Sequence, residues 1–295
     1  MEEKMQSSTN QNPNNSAKVR KIAGNVGYYM ALCVFSLFFL FPFFIMVSRS
    51  FMSDDEILGP VKLLPVALDF SIYFRIFDLK MVYWVMNTFL IAVINIVGIT
   101  LSSSLCAYGF AKLNFKLKNF WFAVVMATLM LPGITTQIPL YILYSKLNWT
   151  GTWLPLTLPG FFGGGAINIF LMRQFMRGIP NQILESAKID GANRLVIYIR
   201  MVLPLCLPIL TYVMVTVFLG QWNDFMGPLM YLGASESKFT ISLALYRLFR
   251  AGSTVSSLPN SQMAAGVIMM LPCMVIFFVF QKQLINGVAT SGIKG

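Results

Sequence analysis

Long apolar runs without charge alternate with short polar loops along this chain. Stretches free of Asp, Glu, Lys and Arg cover Ile22–Ser48, Met81–Ala111, Asn119–Ser145, Leu147–Met172, Met201–Asn223 and Ala251–Gln281. Each is long enough for a helix to cross a bilayer, which takes about 20 residues. The pattern predicts an all-α integral membrane protein with six transmembrane helices. An even number of crossings leaves both termini on one side. Pro42 lies near the end of the first run, where a membrane helix tolerates it.

The polar stretch between the fourth and fifth runs predicts two short helices. Pro180 opens the first, because the first helical N–H has no intrahelical partner anyway. Ile183, Leu184 and Ala187 then share one face. Asp190-Gly191 ends this helix, since glycine accepts the left-handed backbone of a helix stop. An adjacent Asp or Asn caps the second helix, on which Leu195, Ile199 and Val202 recur at i, i+4 and i+7. Both helices are expected to lie on the membrane surface and to feed a span at Leu203-Pro204.

The loops set the orientation. Lys18, Arg20 and Lys21 precede the first run, and Lys112, Lys116 and Lys118 follow the second without an acid. Between the fourth and fifth runs Arg173, Arg177, Lys188, Arg194 and Arg200 face only Glu185 and Asp190. In the alternate loops, Asp54, Asp55, Glu56, Asp69 and Asp78 offset Arg49, Lys62, Arg75 and Lys80, and one loop holds only Lys146. Basic loops stay inside, so both termini and segment 179–202 are read as cytoplasmic. Residues 1–24 are expected to be a disordered cytoplasmic N-terminus, 25–282 the six-span domain, and 283–295 a cytoplasmic tail. Outside, Phe51–Tyr83 reads as a loop and a short membrane-face helix, and Phe225–Asn260 as a Gly- and Ser-rich loop.

Composition agrees: 57% of the 295 residues are hydrophobic and 11% charged, against about 25% charged in soluble domains. The net charge of +11 lies in short loops beside apolar runs rather than in one patch. That distribution argues against a nucleic-acid partner and for the bilayer. The absence of histidine removes imidazole metal sites, bases and proton relays. The four cysteines lie in apolar runs with no disulfide or zinc spacing. No catalytic residue, cofactor or metal is assigned.

Glu185, Ser186, Ala187, Gly191, Met201, Leu203 and Pro204 resemble the "EAA" loop of permease subunits of bacterial ABC importers. That pattern is Glu-Ala-Ala, three residues, Gly, nine residues, Ile, any residue, Leu-Pro. Ser186 replaces Ala and Met201 replaces Ile, each by a residue of similar kind. Asn87-Thr88, Leu131-Pro132-Gly133, Arg173-Gln174-Phe175, Ile179-Pro180, Gln221-Trp222-Asn223-Asp224-Phe225 and the Gly-flanked C-terminus extend the resemblance to carbohydrate-uptake importers of the maltose-transporter type, and to their second, six-span permease. It implies a coupling loop of Glu185, Ser186, Ala187, Asp190, Gly191, Ala192, Leu203 and Pro204, acting as a lever on the fifth span. It also implies a second homologous permease subunit in a heterodimer, two ATPase subunits that hold ATP and Mg, and an extracytoplasmic sugar-binding protein.

The runs hold no charged group for an ion-coupled carrier, and the chain has no phosphate-binding G-x-x-x-x-G-K-[ST] loop. The resemblance then implies an ATP-driven importer of sugars, with an oligosaccharide as cargo, as the expected function. The alternative is an ATP-independent carrier or channel for small polar solutes. Sugar hydroxyls need neutral donors and acceptors, so Asn87, Asn95, Thr135, Gln137, Asn168, Trp222 and Asn223 are candidates for the substrate path. Most aromatic residues near span ends read as an interfacial belt. The Gly163-Gly164-Gly165 cluster reads as close packing of the fourth span against a neighbour.

Overall fold

The computed structural model describes residues 13–250 and 259–292. In chain order the helices are α1 (Pro13–Ser50), α2 (Asp54–Leu58), α3 (Ser71–Ile76), α4 (Val82–Lys112), α5 (Lys118–Ala127), α6 (Gly133–Lys146), α7 (Leu154–Thr157), α8 (Ala166–Arg177), α9 (Asn181–Ile189), α10 (Arg194–Ile197), α11 (Leu203–Leu205), α12 (Leu207–Asn223), α13 (Met226–Tyr231), α14 (Ile241–Arg250) and α15 (Pro259–Gly292). No strand occurs among the described residues.

Among the described residues four helical stretches are long and apolar enough to cross a membrane: Asn25–Ser50, Val82–Lys112, Leu154–Arg177 and Pro259–Leu284. Two more qualify only as bent pairs, Lys118–Met130 with Gly133–Lys146 at 99° and Arg194–Leu205 with Leu207–Asn223 at 78°. Several predicted runs are therefore not simple spans. The third breaks where Pro132 forces Leu131 into extended backbone, ψ 119°. The fourth starts late, at Leu154, and passes Arg173 to end at Arg177. The fifth bends at Cys206 because Pro208 has no N–H to give the Pro204 carbonyl.

The ends differ from expectation as well. Helix α1 begins at Pro13, so residues 13–24 are helical where the composition predicts disorder. Once a long span has nucleated, extending it costs little. Residues 1–12, the start of the sixth run at 251–258 and the tail end 293–295 lie outside the described residues. Segment 225–250, read as loop, holds α13 and the amphipathic α14, which buries Ile241, Leu243, Ala244 and Leu245.

Helix α4 is the central strut, packed against both α8 and α12. It contributes to two cores, one at each end. At its N-terminal end Trp84 and Ala92 join Ile72, Ile76, Phe218, Trp222, Leu232, Phe239 and Ile241. At its C-terminal end Ala107 and Tyr108 join Met172, Met176, Leu184, Ile197, Tyr198, Val202 and Cys206. Trp84 is thus a core residue rather than part of an interfacial belt.

A polar row runs down α4 at seven-residue spacing through Thr88, Asn95 and Ser102. Thr88 Oγ1 accepts the Ile241 N–H at 2.8 Å. Asn95 Nδ2 donates to the Leu156 carbonyl at 2.8 Å, and Ser102 Oγ to the Gly160 carbonyl at 2.9 Å. The Thr88 contact ties the start of α14 to the strut, and the Asn95 and Ser102 contacts seat the interrupted stretch α7–α8 against it. Its break at 163–165 consists of three left-handed glycines, φ 92°, 64° and 89°. A Cβ on Gly164 would lie 2.5 Å from the Ile99 carbonyl oxygen. The glycine cluster therefore does pack closely against a neighbour, and that neighbour is α4.

At the opposite end from the 179–202 segment, the chain is tied by Asp54. Arg75 donates to both its carboxylate oxygens at 3.0 and 3.2 Å, and Asn260, fully buried, donates to it at 2.8 Å and to the Met52 carbonyl at 3.1 Å. The Arg75 hydrogen bond holds the Asp54 carboxyl below the usual carboxylate range, against the opposing effect of its desolvation.

Three outcomes follow for the purified protein in detergent. Gly164→Ala should lower stability by about 2–4 kcal/mol, from left-handed strain plus the clash with Ile99. Asn260→Ala should cost about 1–3 kcal/mol by orphaning a buried carbonyl. Asp54→Asn should cost about 1 kcal/mol or less, because the ion pair is partly exposed. Since the folded pKa is depressed, Asp54 stabilises fully above the ordinary Asp value of about 3.9 and stops doing so as pH falls through the lower folded value. Thermal unfolding against pH should show that acid-side loss in the parent and not in Asp54→Asn.

Candidate functional site

The segment from Gly178 to Val202 forms an elbow at one end of the bundle. Pro180, extended at φ −59° and ψ 132°, precedes α9. The stop of α9 is a complete Schellman motif: the Gly191 N–H donates to Lys188 at 3.1 Å and the Ala192 N–H to Ala187 at 2.9 Å. Gly191 sits at φ 85°, with open space where a Cβ would be. Asn193 then caps α10, its side chain accepting the Val196 N–H at 2.8 Å. The predicted order of helix, glycine turn and capped helix is therefore present, with Asn193 rather than Asp190 as the second cap.

The predicted faces are only half right. Leu184 is buried and Ala187 is half-buried, but Ile183 is exposed. On the second arm Leu195 and Ile199 are exposed at 59% and 51%, while Ile197, Tyr198 and Val202 are buried. The cause is tertiary: Tyr198–Val202 is a π-turn, and the Tyr198 hydroxyl lies 2.7 Å from Ser104 Oγ on α4. That contact turns the Tyr198 stripe inward.

The outer surface of the elbow is mixed. Glu185, Ser186, Lys188, Asp190 and Gly191 are exposed, and Ile189 is 87% exposed. Ion pairs among the described residues are Arg75–Asp54 and Lys80–Glu236, both at the other end. Glu185 and Asp190 are thus without an ion-pair partner among the described residues. Leu203 is half-buried and Pro204 exposed, in the short α11 that precedes the bend.

The polar residues read as substrate path are not gathered in one place. Asn95 and Trp222 are each 2% exposed. Asn95 is spent on backbone carbonyls, and Trp222 Nε1 donates to Met269 at 3.0 Å while its ring stacks on Phe218. Asn87 donates to the Ser237 and Phe239 carbonyls at 2.9 and 3.0 Å. Asn168 donates to Gly164 at 2.7 Å. Thr135, on the exposed first turn of α6, donates to Pro132 at 2.7 Å, and Gln137 is half-exposed two residues on. Asn223 is exposed at the end of α12. The sequence reading did not link Ser104, Tyr108 and Lys112 of α4 to the elbow they touch; their i, i+4, i+8 spacing was the available signal.

Residues 98–290, which include the elbow, match the family described as the binding-protein-dependent transport system inner membrane component. The chain belongs to this family. The permease is 29% identical over 277 residues to the arabinooligosaccharides transport system permease protein AraQ of Bacillus subtilis (strain 168), covering 91% of this chain and 96% of that one. It is 27% identical over 275 residues to the lactose transport system permease protein LacG of Rhizobium radiobacter, covering 92% and 98%. Its fold matches a chain in the crystal structure of a bacterial ABC transporter that imports the acidic polysaccharide alginate, with TM-score 0.77, 22% identity and coverage of 94% and 99%. The permease is accordingly a membrane transport subunit of a sugar importer family whose ATPase is a separate subunit.

The elbow's local chemistry makes its own prediction. Gly191→Ala should destabilise by about 1 kcal/mol through left-handed strain alone, and Gly191→Asn by less. Asn193→Ala should cost about 1 kcal/mol through the lost cap. Hydrogen exchange of the amides at 191–196 should rise in Asn193→Ala while that of α4 stays unchanged.

Proposed function

We propose that this chain forms half of the translocation pore of an ATP-driven importer of oligosaccharides, and that the Gly178–Val202 elbow is where a separate ATPase subunit grips it. The carrying observation is the elbow's outer surface, which presents Glu185, Lys188, Asp190 and an almost fully exposed Ile189 on a rigidly capped turn. An apolar side chain flanked by unpaired charges suits a groove on another protein. Membership in a binding-protein-dependent family and the oligosaccharide and lactose systems named for its relatives support the cargo class.

In this reading each bent pair is one crossing, giving six, and the positive-inside bias puts both termini and the elbow in the cytoplasm of a bacterial cell. Residues 25–282 form the permease domain and 283–295 a short tail. A second, homologous permease completes the pore, two ATPase subunits bind ATP and Mg, and a sugar-binding protein delivers cargo from outside. Glu185, Ser186, Ala187, Asp190, Gly191 and Ala192 form the docking surface, and Leu203 and Pro204 anchor it to the fifth crossing. Along the path, Thr135, Gln137, Asn168 and Asn223 are the members available to sugar hydroxyls. Asn87, Asn95 and Trp222 act by fixing the backbone beside it.

ATP-driven closure shifts the pore only if docking differs between its two forms. The complex reconstituted with its binding protein and a panel of oligosaccharides should show ATP hydrolysis stimulated by the loaded binding protein. Gly191→Pro should insert normally yet lose at least about tenfold in uptake per ATP. Normal uptake by that variant, or an assembly with no ATPase, would overturn the reading.

A further inference from the structure

The elbow is held by α4 on both sides of its glycine turn. Ser104, Tyr108 and Lys112 stand on one face of α4, about 6 Å apart along the axis. Lys112 Nζ donates to the Ile179 carbonyl at 2.5 Å and to Asn181 Oδ1 at 2.9 Å, which fixes the entrance to α9. Tyr108 Oη donates to the Arg194 carbonyl at 3.2 Å, and Ser104 Oγ meets Tyr198 Oη at 2.7 Å, which fixes α10. The rings of Tyr108 and Tyr198 pack 5.2 Å apart between these levels. Arg173 of α8 joins the same unit, donating to the Phe110 carbonyl at 3.3 Å with its guanidinium 3.8 Å above the Phe122 ring.

The covalent route from the elbow into α12 is built differently. It passes through the π-turn Tyr198–Val202, the three-residue α11 and the 78° bend at Cys206, with Pro204 and Pro208 on either side. Each proline removes a backbone hydrogen bond that would stiffen the joint. A displacement applied to the elbow therefore meets a multiply bonded contact toward α4 and a hinge toward α12.

We propose that the elbow and the adjoining half of α4 move as one body, so that α4 rather than α12 carries ATPase motion into the membrane. Ser104, Tyr108 and Lys112 are the positioning residues of that clamp, and the bend at Cys206 absorbs the relative rotation of α12. This rests on the docking reading above.

The test uses the complete transporter with Cys33, Cys106, Cys206 and Cys273 replaced by alanine. Lys112→Cys with Asn181→Cys is bridged by a short bis-methanethiosulfonate reagent. One-body motion predicts that the unbridged pair loses uptake per ATP as Lys112→Met does, that the bridge forms, and that bridging restores uptake per ATP at least about threefold, since the bridge spans a contact that never opens. Absence of that recovery, or failure of the pair to bridge, overturns the proposal. In parallel, Lys112→Met should keep assembly and ATP hydrolysis while uptake per ATP falls about tenfold, and Lys112→Arg should restore the ratio. An unchanged ratio in Lys112→Met overturns it too. Glu185→Cys cross-linking to the ATPase reports separately on docking: its failure rejects the docking reading without altering the outcome of the bridge.

Discussion

Inside a bilayer, a peptide carbonyl freed by a broken helix has no water to accept from, and the permease depends on meeting that requirement. It breaks its helices repeatedly, at Leu131-Pro132, at Phe162–Gly165, at Gly178–Asn193 and at Cys206. Helix α4 supplies donors to two of the carbonyls so exposed, Asn95 to Leu156 and Ser102 to Gly160, and at the elbow end it continues with Lys112 to Ile179 and Tyr108 to Arg194. Interhelical hydrogen bonds in membranes contribute only about 0.6 kcal/mol on average. An orphaned buried group costs about 1–3 kcal/mol. The row on α4 therefore matters less as attraction than as the condition under which irregular backbone is allowed there at all. Without proline along its 31 residues, α4 can stay straight while its neighbours bend around it.

That arrangement divides the protein into a stiff part and jointed parts. The two hydrophobic cores lie at opposite ends of α4 and share Ile96 among the side chains packed against each. At the far end the core is closed by polar ties of the same type, with Asn87 on the carbonyls before α14 and Asn260 on Met52 and Asp54. Pro132, Pro204 and Pro208 lie beside this frame, in the bends of the α5–α6 and α11–α12 pairs. Packed cores switch between discrete arrangements rather than deforming smoothly. Large angular change is thus confined to the joints, which is what a pore needs in order to open one end while the other closes.

The same division explains what was legible in the sequence. The elbow could be read nearly residue by residue because caps and stops are local: Pro180, Gly191 and Asn193 act on amides within a few positions of themselves. Its buried face could not, because the Tyr198–Ser104 contact joins residues 94 apart and overrides the simple period. The apolar runs revealed where membrane-crossing chain lies but not its bends, since a charge-free run looks the same straight or broken. The prolines at 132, 204 and 208 were visible, yet a proline near the end of a membrane helix, such as Pro42 in α1, need not break it. Asn95 and Trp222 show a different limit. A neutral amide suited to a sugar hydroxyl is equally suited to a peptide carbonyl, and only the surroundings decide.

No charged side chain interrupts the predicted runs, and the ion pairs among the described residues lie beyond them at the far end. At the elbow end the cations are engaged by other means, Lys112 by a carbonyl and an amide oxygen, Lys118 by the Leu113 carbonyl, and Arg173 by a carbonyl and a ring. Neutralising these cations internally would have taken the nearest carboxylates, Glu185 and Asp190. Binding them to carbonyls and a ring leaves both carboxylates facing outward beside Ile189. An uncharged interior can recognise a neutral sugar but offers no ionisable group through which to couple a gradient. On the docking proposal, the free energy for transport arrives mechanically at an end of the bundle, and the elbow presents its charges to the ATPase subunit.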